Sequence, residues 1–179
     1  MLIRCANRIR TAAFLLAPYL CAQAPSSIFG QIVEGKITVG LLDRPPQVLG
    51  RSDIAKLPHA TVRVKESGRG YSTYSGVPLI DLLKHAGVEL KTGTQRTDLG
   101  QIVLVDAVED SSVLFALAEL DSTLTDKQVL LADTKDGKPL AAPEGPFRII
   151  VPGDKEPARW ARQVWAIYIV RVVEPPKRH

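Results

Sequence analysis

The residues VWAIYIVRV, positions 164–172, constrain the fold of this chain more than any other stretch. Side chains alternate between the two faces of an extended strand. Val164, Ala166, Tyr168, Val170 and Val172 therefore share one face, and Trp165, Ile167 and Ile169 share the other. Both faces are mostly apolar, which predicts a strand buried within a sheet. FRIIV (147–151) reads as a second buried strand.

Further strands are expected at GKITVG (35–40), ATVRV (60–64), QIVLVDAVE (101–109), SSVLFAL (111–117) and QVLLAD (128–133). Asp136-Gly137 has the chemistry of a two-residue hairpin turn. Pro45-Pro46 is expected to end the extended segment before it. Helical segments are few and short. Ser52 can cap SDIAKL, which Pro58 stops. A second helix is predicted to start at Ser75 or Gly76, with Pro78 near its first turn and Gly87 at the C′ position. Leu79, Leu82, Leu83 and Ala86 fall on one face of that helix. AELDSTL supplies a third short helix, and residues 88–100 are polar and loop-like. Many strands with three short helices define an α+β, mainly β, domain.

The first residues carry a different signal. Arg4, Arg8 and Arg10 precede TAAFLLAPYLCA and an Ala22-Gln23-Ala24 exit, the pattern of a secretory signal peptide over residues 1–24. The apolar run is shorter than a transmembrane helix requires, so no membrane span is expected after cleavage. Residues 25–31 read as a linker, 32–173 as one domain and 174–179 as a tail. Removing the signal takes three arginines and no acids from 23 basic and 19 acidic residues, leaving 20 against 19. That balance gives no nucleic-acid footprint. Cys5 and Cys21 leave as well, so the exported chain has no disulfide, thiolate nucleophile or thiolate metal ligand. The expected location is periplasmic or secreted.

Common site motifs fail on inspection. Gly68-Arg69-Gly70 begins like a dinucleotide-binding glycine motif, but Thr73 stands where the last glycine belongs. His59, His85 and His179 have no ligand spacing between them. The loop 152–159, between two core strands, brings Lys155 and Arg159 together, and two cations can bind phosphate or another oxyanion. The plainer alternative solvates Lys155, pairs Arg159 with a carboxylate and uses Trp160 as a core plug.

Two separated segments carry a family resemblance. YSGVPLIDLLKHAGV (74–88) resembles the W-x-G-V-P-L-x-D-L-L-x-x-A-G-V segment of the molybdopterin-binding domain of sulfite-oxidase-type enzymes. GKPLAAPEGPFRIIVPGDKEPARWARQV (137–164) resembles the same domain's G-x-P-L…G-x-P-x-R-L-V-V-P-G…K-W-V-x-x-I segment. The likeness spans roughly residues 32–173. It implies that domain's fold and a molybdenum–molybdopterin cofactor held partly by one protein cysteine. That cysteine belongs near Val64–Gly68, where this chain has no thiol. The family's Asp-Gly-Tyr turn is replaced by Glu109-Asp110-Ser111, and the insertion before the tryptophan is cut to Asp154–Ala158.

Two classes of function follow from the resemblance. One is an exported oxidoreductase with oxygen-atom-transfer chemistry at a cysteine-free molybdenum site. Glu66 and Ser67 would supply oxygen ligands, and Arg69, Ser111, Lys155 and Arg159 would hold the pterin phosphate. The other is a non-catalytic periplasmic binding or assembly module. It keeps the fold without the cofactor and engages a small oxyanion or a periplasmic redox or assembly partner protein.

Overall fold

A computed structural model describes residues 35–41, 44–66, 68, 70–88, 100–108 and 111–171. The predicted signal peptide, linker and tail lie outside these residues, as do Ser67, Arg69 and most of the 88–100 segment. No described helix is long and apolar enough to cross a membrane.

Among the described residues, ten strands form two five-stranded sheets. In the first, β1 (Lys36–Leu41) lies between β2 (Arg44–Gly50) and β10 (Ala166–Arg171), followed by β5 (Gln101–Asp106) and β6 (Ser112–Ala116). The β1–β10 pair is parallel and the others antiparallel. The second sheet runs from β3 (Ala60–Glu66) through β4 (Gly70–Pro78) and β7 (Leu130–Lys135) to β8 (Lys138–Pro139). The short strand β9 (Arg148–Ile150) also pairs with β7. One apolar cluster joins both sheets, drawing on Ile37, Val103, Phe115 and Ile167 from the first and Val64, Tyr74, Leu130 and Ile149 from the second. The α+β, mainly β, reading describes this architecture.

The helix α2 (Leu79–His85) buries Leu79, Leu82 and Leu83 completely, and Ala86 beyond it is 1% exposed. Its C-terminus closes as expected. Gly87 has φ +100°, its N–H bonds the Lys84 carbonyl at 2.9 Å, and the Val88 N–H bonds Leu83 at 3.0 Å. These two bonds make a Schellman motif, which needs a left-handed residue at C′. The 3-10 turn Leu117–Leu120 takes the place of the third predicted helix.

Several details differ from expectation. The helix starts at Leu79 rather than at Ser75 or Gly76, because residues 70–78 are strand and pair with β3 and β7. The hydroxyl-rich segment before the helix is thus the second arm of a hairpin. Its period of two puts Ser72 and Tyr74 inward and leaves Tyr71 and Thr73 exposed. Pro45-Pro46 lies within β2, an edge strand whose register with β1 is irregular between Val39 and Leu41. A residue without an N–H is tolerated there. The helix α1 (Arg51–Ile54) starts one residue before the expected cap, with Asp53 accepting from the Gly50 N–H at 3.1 Å.

Strand β10 sits centrally in its sheet, yet only one face is core along its length; on the other, Ala166 is buried at the start of the strand. Ile167 and Ile169 are buried, while Tyr168 is half-buried across Gly40 and Val170 is 41% exposed. On that second face Tyr168 pairs with Leu104, which pairs with Leu114. Apolar cross-strand neighbours cover one another in place of a second layer.

Candidate functional site

Glu66, at the end of β3, lines a cleft of about 900 Å³ together with Lys135, Glu144, Arg148 and Trp160. Register places Val62 opposite Tyr74, Val64 opposite Ser72 and Glu66 opposite Gly70. Alternation therefore sends Tyr74 and Glu66 to the same, inward, face of the sheet. Gly68 (φ +76°) and Gly70 (φ +86°) let the chain reverse immediately after Glu66. On the neighbouring strand, Lys135 pairs with Tyr74, and Arg148 enters from β9.

These side chains form one connected network. The Tyr74 hydroxyl donates to the Glu66 carboxylate and accepts from Arg148 Nη1 at 2.9 Å. Lys135 Nζ reaches Glu66 Oε1 at 2.8 Å and Glu144 Oε2 at 3.5 Å, while Arg148 Nη1 reaches Glu144 Oε1 at 3.1 Å. The Arg148 guanidinium is wedged between two rings, 5.6 Å from the Tyr74 centroid and 5.5 Å from that of Trp160. The rings themselves meet edge to face at 6.2 Å. Trp160 is held by its indole N–H, which donates to the Val151 carbonyl at 3.1 Å.

The electrostatics follow from this packing. Burial raises the Glu66 carboxyl, but the hydrogen bonds from Lys135 and Tyr74 and the Arg148 charge outweigh it, so its pKa falls below the ordinary value. Burial and the Glu66 bond push Tyr74 up to about 12. Burial opposes charge on Lys135, yet the bonds to Glu66 and Tyr74 raise it to about 12. Glu66 is thus an anion, Lys135 a cation and Tyr74 a neutral donor. Arg148 has a side chain only 6% exposed, and its Nε is buried with no hydrogen-bond partner among the described residues. A buried charged group needs its donors satisfied. This orphan is the one unsatisfied point of the network.

The residues singled out in the sequence separate here. Glu66 enters the cleft. Lys155 is exposed to solvent. Arg159 is clasped by Asp154 (2.8 and 2.6 Å) and Glu119 (3.1 Å) and lies 5.0 Å over the Phe115 ring. The Asp154 bond leads in raising its pKa and, in return, leads in lowering that of Asp154. This is the plainer arrangement weighed above, with Trp160 buried beside it. Ser111 is exposed in the β5–β6 turn and lines a smaller cavity of about 260 Å³, which shares Pro143, Trp160 and Arg162 with the main cleft. Ser67 and Arg69 lie outside the described residues.

Tyr74, Lys135, Glu144 and Arg148 were not assigned a role from the sequence. One signal was present: Arg148 is a charge inside the apolar run FRIIV, and a buried charge requires a partner.

The family model for the oxidoreductase molybdopterin binding domain matches residues 47–175. The chain belongs to that family, of the sulfite-oxidase type. Among solved structures it is similar to the sulfane dehydrogenase SoxCD from Paracoccus pantotrophus, with a TM-score of 0.58 and 21% identity. The match covers 75% of this chain and 37% of that one. No curated protein sequence matches this chain.

The family implies a molybdenum–molybdopterin cofactor, and the side chains here can be tested against it. Both cysteines, Cys5 and Cys21, precede the matched segment, so no thiolate comes from it. The Glu66 carboxylate is already taken by Lys135 and Tyr74. The donor set does not fit a thiolate-ligated molybdenum centre.

Proposed function

We propose that this chain is a non-catalytic binding module of the molybdopterin-domain family, with a cleft that takes a small anion in place of the metal cofactor. The observation that carries this reading is Arg148, buried at the cleft floor between Tyr74 and Trp160 with its Nε unpartnered. A guanidinium held by two rings is pre-organised for a planar oxyanion. Lys138 and Arg162 add positive charge to the cleft walls, so its cations outnumber its carboxylates by four to three. Such a site attracts anions while giving a metal no vacant donor.

The arginine-rich start and A-x-A exit of residues 1–24 support export, with a periplasmic or secreted location. Amino-terminal sequencing of the secreted protein tests it, and a chain still beginning at Met1 contradicts cleavage.

The competing reading, oxygen-atom transfer at a cysteine-free molybdenum site, rests on Glu66 standing near the family's ligand position. Expression in a host that makes the cofactor separates the two. Elemental analysis and fluorescence of oxidised pterin are expected to find neither molybdenum nor pterin in stoichiometric amount. One molybdenum per chain would overturn the binding-module reading. Anion binding is tested directly with Arg148→Lys, which keeps the charge but loses the planar fork and is expected to abolish saturable binding.

A further inference from the structure

Glu144 holds two of the cleft's cations, Arg148 and Lys135, at once. Its two carboxylate oxygens face different partners, Oε1 toward Arg148 Nη1 at 3.1 Å and Oε2 toward Lys135 Nζ at 3.5 Å. The residue hangs from the turn 141–145, closed by N–H bonds from Glu144 and Gly145 to the Ala141 carbonyl at 3.0 and 2.8 Å. That turn forms one wall of the cleft. The other carboxylate on Lys135 differs in kind. Glu66 is embedded at a strand end, is 12% exposed and takes the Tyr74 hydroxyl besides Lys135. Glu144 is more exposed, at 21%, and no side-chain partner beyond the two cations holds it among the described residues.

We infer that the Glu144 carboxylate is an internal occupant of the anion site, and that the cleft takes a small carboxylate which displaces it from Arg148 and Lys135. This rests on the binding-module reading and specifies its ligand class and regulation. The bound arrangement reproduces what a free carboxylate would find: a guanidinium, an ammonium and an aromatic wall. A tethered side chain addresses Nη1 alone. A free carboxylate is not tied to the turn and can meet the guanidinium fork with both oxygens. The cleft is therefore self-inhibited, and the apparent affinity of any ligand is reduced by the fraction of time Glu144 is seated.

The test is a titration of the full chain with sodium acetate, followed by the NMR signal of the Trp160 indole N–H. The chain has two tryptophans, so a Trp165→Phe variant assigns the signal. Glu144→Gln is near-isosteric and is expected to bind acetate about five- to tenfold more tightly than wild type. Asp136 is the control: its carboxylate lines the same cleft but is engaged by the Thr73 N–H at 2.8 Å. Asp136→Asn removes the same charge from the cleft without freeing Arg148 or Lys135, and is expected to tighten acetate binding less than Glu144→Gln does. Glu144→Ala, compared with wild type by near-ultraviolet circular dichroism, guards against a folding defect in a single variant. Equal or weaker binding by folded Glu144 variants, with wild-type binding still abolished by Arg148→Lys, overturns the self-inhibition alone. Equal gains from Glu144→Gln and Asp136→Asn also overturn it, since a general field would then suffice. Acetate binding indifferent to Arg148→Lys overturns the anion-cleft reading beneath it.

Discussion

Replacing Tyr74 by phenylalanine probes the network with the least collateral change. The ring, its edge-to-face contact with Trp160 and its place beside the Arg148 guanidinium are all kept. Only the hydroxyl goes, and with it one bond donated to Glu66 and one accepted from Arg148. Bonds to charged groups contribute about 1.5–3 kcal/mol each, and a buried partner left unsatisfied costs a similar amount. The two losses do not simply add, because Glu66 retains Lys135 and Arg148 retains Glu144. The expected cost is therefore that of one such bond, about 1.5–3 kcal/mol at pH 7. Urea denaturation measures it as a lower midpoint with an unchanged slope. Acid sharpens the test. Glu66 has a lowered folded-state pKa, so its stabilising contribution is present above the ordinary glutamate value of 4.5 and is lost as pH falls through the folded value. The gap between wild type and Tyr74→Phe must then narrow toward pH 3. A variant within 0.5 kcal/mol of wild type at pH 7, where surface changes fall, or a gap independent of pH, would refute the network.

Two further perturbations test the frame around the cleft. An alanine at Gly76 would drive its Cβ into the Leu131 carbonyl oxygen and Ala132 Cα on β7. Neither backbone atom can yield, so Gly76→Ala is expected to cost about 3 kcal/mol of stability, read as a lower unfolding midpoint. His59 places Nδ1 2.7 Å from the Leu57 carbonyl and Nε2 3.1 Å from the Asp133 carboxylate. Burial opposes its charge, but these acceptors outweigh it and raise its pKa. Its contribution is therefore full below the ordinary value of 6.5 and fades as pH rises through the folded one. His59→Gln should flatten the pH dependence of thermal stability in that window. Parallel curves for the two proteins would contradict the assignment.

Much of the frame was legible because it rests on local rules. The leucine face of α2 and its glycine stop follow from helical spacing and from the need for a left-handed residue at C′. The Asp136-Gly137 turn likewise follows from positive φ at both positions, 49° and 76°. The hairpin arm Gly70–Pro78 carries no strand pattern of its own, because its residues are mostly small and polar. Its pairing with β3 and β7, invisible in a local window, made it strand. Glu66 was reachable as a residue near the expected metal ligand, yet its ion-pair partner Lys135 lies 69 positions away, and Arg148, whose charge also lowers its pKa, 82.

The sequence by itself determined the class of fold, the family and the lack of a cysteine between residues 22 and 179. Those depend on residue type and on order along the chain. Only the tertiary structure decided that Arg159 spends its charge on Asp154 and Glu119, while Arg148 keeps a buried donor unpaired. Both are arginines in the same segment, and nothing local distinguishes their fates. Which carboxylate reaches which cation is a matter of distances across sheets, and distance is what folding adds to a sequence.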